Sequence, residues 1–530
     1  MKDLLQSYLE ENIKVNPPLN DFFYYDKFLN LKHIQPDIYS ESFYNKLFKI
    51  DKKYYDILKD KKDKTFNEEI LYHIIKHDIK METEYEIYMY MPVNLLDNIL
   101  IDYVTDCGGD GNYLFNTPLD YECFIKRLKS LPKITHSIIE KMKDGIKNKK
   151  TLYEKTVTYM INNINDILKN KSYLHKKKSS KTNKLNKYIN DYLVKNLEKF
   201  LFFLRDEYYK HTSKKFGLYQ YKGGKSAYLE LIRYSTFKDI TPDILMDVGK
   251  KELDRLTKEK INIQKKLKVC DINSYVKKNK SFYYNDKKSI LTDLKNIQKR
   301  VKNDVYSKYF HGILQDEDMY DIKSTPVESN HAIAYYISSD LKNSKKGRFY
   351  INTSKPETVN KYELYVLSLH EGIPGHHYEI NYHLKSEKHD LLKFHNFVGY
   401  TEGWGLYCEG LGDYENDIER YFKIQYDIHR SLRLIVDTGI HYFGWDYDKC
   451  FQKMKDNLTF SDEQINKELL RYIDLPGQAI TYKVGEKTIL YLRDILMKQG
   501  LSIQDFHEII MKIGPCPLEI MLDKILNNIK

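Results

Sequence analysis

"LHEGIPGHHYEINYHL", residues 369–384, holds four of the chain's 17 histidines. It opens as the metal-binding helix of a zinc peptidase does. In His-Glu-x-x-His, two histidines one helical turn apart face one ion, and the glutamate between them takes a proton from the bound water. His370 and Glu371 fit that first half, and KYELYVLSLHE supplies the helix, with Leu364, Val366, Leu367 and Leu369 as apolar content. Where the second histidine belongs stands Pro374, and the next histidines are His376 and His377. In an uninterrupted helix His376 would lie about 240° round from His370, whereas His377 would return to the same face roughly 10 Å along the axis. Pro374 has no N–H to give to the carbonyl of His370, and Gly375 adopts backbone angles that other residues avoid. The spacing predicts a helix that bulges or restarts at Pro-Gly and brings His376, or else His377, round to His370.

A metal centre needs a third ligand, and "YTEGWGLYCEGLGDY" (400–414) follows one helix and loop later. Glu402 and Glu409 are seven apart, so they share a helix face. Glu402 is the expected ligand. Glu409 is expected behind a ligand, or as its alternative. Zinc suits this mixture of imidazole and carboxylate. Upstream, HAIAYYISS (331–339) and GRFYINT (347–353) read as short strands. A small sheet edge followed by an apolar helix carrying His-Glu is the arrangement that zincins use to hold substrate beside metal.

The rest of the chain reads as helix. EKTVTYMINNINDILKN (154–170) and LNKYINDYLVKNLEKFLFFLRDEYYKH (185–211) repeat apolar residues every three or four positions. TPDILMDVGKKELDRLTKEKINIQKKL (241–267) opens on Thr241-Pro242, a cap followed by proline at the first helical position, and FSDEQINKELLRYI (460–473) opens on Ser461. The fold class is therefore mainly α with a small β element near the site.

Composition bounds the function. At 530 residues the chain is long enough for two core-bearing lobes. Its apolar fraction of 42% and charged fraction of 30% are those of a globular protein. No stretch approaches the roughly 18 uncharged apolar residues of a membrane span. The N-terminus carries acidic residues where a signal peptide needs its apolar run. The expectation is a cytoplasmic protein without a membrane association. Six scattered cysteines with no CxxC pair suit free thiols in a reducing compartment. Much of the net charge of +11 sits in KNKSYLHKKKSSKTNKLNKY (169–188), which lacks apolar periodicity and reads as a solvated insert rather than a nucleic-acid surface.

The ordered motifs resemble a large family filed as domain of unknown function 885, grouped with the gluzincin-type metallopeptidases. The resemblance rests on HEGIPGHH (370–377), YTEGWGLYCE (400–409), GRFYINT (347–353), RLIVDTGIHYFGW (433–445), RYIDLPGQAITYKVGE (471–486) and IGPCPLEIML (513–522). It implies a zincin-like helical metallopeptidase fold with the β element beside a deep substrate channel, a peptide substrate, and Zn2+ on His370, His376 and Glu402. His377, Glu409 and Asp437 would stand behind these or replace one of them. Glu371 would be the general base. Tyr482, or else His441, would donate to the developing oxyanion. Arg433 and Arg471 would grip a peptide carboxylate. Asp437 would orient His441. Gly477 and Gln478 would line the channel, and Tyr350 and Asn352 would offer backbone groups to an extended peptide. Trp404 and Trp445 would pack the core around the site. Residues 1–215 form an N-terminal helical region and 216–530 the catalytic region, integrated into one structural unit. The competing reading is a non-catalytic zincin-fold protein that binds peptides or partners; the intact Glu371 argues against it.

Overall fold

Short polar side chains mark where the helices begin. Thr241 Oγ1 accepts from the Ile244 N–H (3.2 Å) ahead of Pro242–Lys266, and Ser461 Oγ accepts from the Gln464 N–H (3.2 Å) ahead of Asp462–Asp474. The computed structural model describes residues 3–85, 90–109, 111, 113–170, 180–325, 333–339 and 346–527, and the chain is mainly helical. The helix expected at 154–170 runs Glu154–Lys169. The one expected at 185–211 belongs to a longer helical stretch from Ser180 to His211, which widens into π turns at Ile189–Val194 and Phe203–Tyr208. Residues 171–179 of the lysine-rich run read as a solvated insert lie outside the described residues.

The chain forms two compact units. The first is Met1–Tyr228 with two short returns, His389–Phe394 and Lys467–Leu475. It is built of helices around buried residues such as Phe124, Ile134, Ile138, Leu197, Phe200 and Leu204. Its main segment runs past the 215/216 division read from sequence, to Tyr228.

The second unit is Leu229–Lys388, His395–Asn466 and Pro476–Lys530. Six of its helices matter for the site: Pro242–Lys266 (α1), Glu363–Glu371 (α2), His376–Lys385 (α3), Val398–Glu409 (α4), Asp417–His441 (α5) and Thr481–Lys498 (α6). α5 is the axis of the unit. Every residue from Ile418 to His441 is buried except Arg420, and α1 packs along it. A three-stranded sheet joins Asp321–Ser324 (β1), Ala334–Ile337 (β2) and Arg348–Ile351 (β3) in the order β1-β3-β2. β3 runs parallel to β1 and antiparallel to β2, with Tyr350 opposite both Lys323 and Tyr335. β2 and β3 fall in the two expected stretches, although residues 331–332 lie outside the described ones. β1 was not expected, because DIKS is too short and too polar to carry a strand signal of its own.

α4 and α6 pack backbone against backbone. A Cβ built on Gly403 would lie 2.5 Å from the Gly485 Cα, and one on Gly485 would lie 2.0 Å from the Gly399 carbonyl oxygen. A close-packed interior has no room to yield there. Gly403→Ala should cost about 1–3 kcal/mol, read as an earlier urea midpoint at unchanged slope. An unaltered midpoint would show that the helices separate freely.

Candidate metal centre

The helix that opens the motif does not continue through it. α2 ends at Glu371, Gly372 N–H closes the last turn on Ser368 O (3.0 Å), and α3 begins at His376 with the His377 N–H on Gly372 O (3.2 Å). Of the two deformations that Pro-Gly allows, the chain takes the restart. The indole N–H of Trp404 donates to Pro374 O (2.9 Å) and pins the turn from α4. A Cβ on Gly375 would lie 1.9 Å from the His370 carbonyl oxygen, and one on Gly405 2.8 Å from the His370 ring. These two glycines are where the restart and α4 close in on the first histidine.

The restart brings the His376 ring to 4.7 Å from the His370 ring at 84°. Glu402 Oε2 lies 3.4 Å from His370 Nε2 and 3.5 Å from His376 Nε2, and the three ligand atoms are all within 4.8 Å of one another. Hydrogen bonds between such groups are shorter, about 2.7–3.2 Å. A tetrahedron with zinc–ligand distances of about 2.0–2.2 Å has edges of about 3.3–3.6 Å. The side chains thus stand at the spacing of ligands around one small ion.

Behind His370, Nδ1–H donates to Glu409 Oε1 (2.9 Å). This leaves Nε2 to face Glu402, so Glu402 joins the histidines and Glu409 stands behind them. Such a bond fixes both the tautomer and the aim of a ligating imidazole. His377 points elsewhere. Its Nε2–H donates to Asp318 O (2.6 Å), and Nδ1 accepts from Tyr336 O–H (2.9 Å). Both ring nitrogens are occupied, so His377 ties α3 to β2 and to the loop before β1.

The charges agree with this division. Burial favours the neutral His370 ring, but Glu402 beside it, Glu409 bonded to it and the nearby charge of Glu371 hold its pKa up at about 9. Loss of water works against ionised Glu402, yet His370 and His376 beside it hold it well below the usual carboxylate range. Burial likewise opposes ionised Glu409, and Lys423 and Arg430 outweigh it. Burial pushes His377 down to about 4.

The other expected residues lie as follows. Glu371, the last residue of α2, is half-buried beside His370. Tyr482 opens α6 one turn before the Gly403–Gly485 contact, with the Arg433 guanidinium 4.3 Å over its ring. His441 is buried at the end of α5, its Nε2 4.0 Å from Asp437 Oδ1. Asp437 also accepts from the Gly477 N–H (3.1 Å), which couples α5 to the turn holding half-buried Gln478. Trp445 packs on Gly439. One expectation is corrected. Tyr350 and Asn352 do not offer free backbone: β3 is the central strand, paired on both edges, and Asn352 N–H donates to Ile333 O (2.9 Å). Arg471 belongs to the first unit, with its Nη1 3.7 Å from Glu468 Oε1.

Sequence reasoning missed Glu379 and His383, one face of α3 beyond His376. Glu379 Oε1 lies 3.3 Å from His383 Nε2, and Oε2 has no partner among the described residues. Burial, then the charge of Glu402, pushes Glu379 up from 4.5 to about 8, and burial pushes His383 down to about 3. Near neutral pH the pair is an acid and a neutral imidazole. The folded chain therefore holds a proton between pH 4.5 and about 8 that the unfolded chain has released, so this group makes stability fall as pH rises through that window. In metal-free protein Glu379→Gln should flatten that fall and exceed the wild type by about 1–3 kcal/mol above the window, measured by urea unfolding at pH 5 and pH 9. An unchanged slope would show Glu379 ionised throughout.

The fold has solved counterparts. The structure described as a "putative lipoprotein from Colwellia psychrerythraea" aligns over 98% of both chains with a TM-score of 0.84 at 19% identity. A "putative lipoprotein of unknown function from Shewanella oneidensis" aligns over 98% of both chains with a TM-score of 0.74 at 17% identity. The expectation of a cytoplasmic protein does not stand, since both counterparts are described as lipoproteins. Among the described residues no helix is long and apolar enough to cross a membrane. No curated protein matches the chain. The model of one family, "Bacterial protein of unknown function (DUF885)", matches residues 28–525. With nearly its whole length inside that match, the chain belongs to the DUF885 family.

Proposed function

We propose that this protein is a zinc-dependent hydrolase of peptides with a zincin-like catalytic unit. The observation that carries the reading is the spacing of His370 Nε2, His376 Nε2 and Glu402 Oε2, with two edges of 3.4 and 3.5 Å where tetrahedral zinc needs about 3.3–3.6 Å. Two imidazoles and one carboxylate leave a fourth position for water, as catalytic zinc sites do. Zinc held there supplies a Lewis acid and lowers the pKa of its water towards about 7.

The chain's own groups would do the rest. Glu371 takes the proton of the attacking water and returns it to the leaving amine. Tyr482 donates to the developing oxyanion in preference to His441, which is closed off at 1% exposure beside Asp437. Arg433, stacked on the Tyr482 ring, holds that phenol in place. An extended peptide suits the outer edge of β2, which pairs with β3 on one side only among the described strands. The Tyr336–His377 bond places that strand beside the helix that begins with His376.

Elemental analysis tests the centre. About one zinc per chain is expected in the wild type and in His377→Ala, with loss in His370→Ala, His376→Ala and Glu402→Ala. Glu371→Gln should keep the zinc and lose peptide cleavage by about 100-fold or more. Zinc that survives all three ligand substitutions would remove this centre. Zinc binding without cleavage of any peptide library would turn the reading to a peptide-binding relative of the fold.

A further inference from the structure

Glu409 is one end of a buried chain of alternating charges, and its two oxygens face opposite ways. Oε1 takes the His370 Nδ1–H at 2.9 Å, and Oε2 lies 3.3 Å from Lys423 Nζ. Lys423 Nζ also meets Asp427 Oδ1 at 3.0 Å, and that same oxygen takes Lys483 Nζ at 3.0 Å. Lys483 Nζ closes on Glu486 Oε2 at 2.5 Å. All five charged side chains are buried. The chain crosses three helices, from Glu409 on α4 through Lys423 and Asp427 on α5 to Lys483 and Glu486 on α6. α6 is also the helix that carries Tyr482.

Burying ions is expensive unless each is paired in good geometry. Well-packed apolar residues in place of the whole ion set would fill the same space without that cost, so stability alone gives no reason for ions here. The chain has a geometric consequence instead. With Oε2 on Lys423, the Glu409 carboxylate cannot turn without breaking one contact or the other. Its remaining oxygen is thereby held on His370, whose Nε2 is aimed at Glu402. Arg430 reaches the carboxylate too, but at 3.5 Å and on Oε1, the oxygen already given to His370. It therefore does not hold the second oxygen as Lys423 does.

We propose that Lys423 is a positioning residue for the metal centre, acting on His370 through Glu409, with Asp427 anchoring it to α6. This rests on the reading of His370, His376 and Glu402 as metal ligands. The test is a double-mutant cycle on zinc affinity, by competition with a chelator, alongside the visible spectrum of the cobalt-substituted protein. Glu409→Gln should weaken zinc by about 10–100-fold. Lys423→Met should weaken it by about tenfold and shift the cobalt bands, and Lys423→Arg should restore most of both. In the Glu409→Gln background, Lys423→Met should change nothing further, because the path from Lys423 to the ligand is already cut. A purely structural lysine would give losses that multiply. If Lys423→Met alone fails to fold, the double variant, which removes both members of the pair, and Lys423→Arg still decide the case. Wild-type affinity and spectrum in Lys423→Met, or multiplying losses, would overturn the inference while leaving the metal centre intact. A wild type that binds neither zinc nor cobalt would overturn the centre and the inference together.

Discussion

The constraint on which the rest of the site depends is that the helix must stop after Glu371 and begin again at His376. A continuous helix would turn His376 away from His370 and carry His377 along the axis beyond reach. The break is enforced from two sides. Pro374 removes the donor that would continue the helix, and the Trp404 indole takes the carbonyl that the break exposes. The same α4 that supplies Trp404 supplies Glu402 and Glu409, so the turn is pinned and the candidate ligand set completed by one element. That element sits close enough to do both because Gly403 meets Gly485 and Gly405 meets the His370 ring with no side chain between them.

A second demand falls on α5. A helix buried almost all round would ordinarily be apolar, yet this one buries Lys423, Asp427, Arg430, Arg433, Asp437 and His441. Lys423, Asp427 and Arg430 meet opposite charges within the protein. Asp427 serves lysines on two helices, and Asp437 serves the backbone of the turn before α6. Such pairs are a weak source of stability but a strict specification of where each helix lies. The unit spends them next to the candidate metal centre, where the aim of an imidazole matters at the level of tenths of an ångström.

Much of this was legible in the residues. His370, Glu371, the Pro-Gly break, the second histidine pair and the two glutamates seven apart are all local patterns with fixed helical geometry behind them. Caps at Thr241 and Ser461 placed helix starts for the same reason. The failures share a different cause. Whether Tyr350 has a free edge depends on β1, a strand too short and polar to announce itself. Lys423, Asp427 and Arg430 recur at helical spacing, and nothing local distinguishes a buried face of this kind from an exposed one. Only the packing of α1, α4 and α6 around them turns that face inward. The cytoplasmic reading rested on the acidic N-terminus, and two structures of the same fold, each described as a lipoprotein, overturn it.

The sequence by itself determined a mainly helical chain, the position of the break, and the small set of histidines and carboxylates from which a metal centre would be drawn. It did so because helix periodicity, proline's missing donor and imidazole chemistry act over a few residues. Only the tertiary structure groups His376 rather than His377, and Glu402 rather than Glu409, with the Nε2 of His370. Those choices turn on partners far away in the chain: Tyr336 and Asp318 occupy the nitrogens of His377, and Lys423 holds Glu409 behind His370. A side chain's role follows from what its polar atoms have left to bind, and that is settled only when every neighbour is in place.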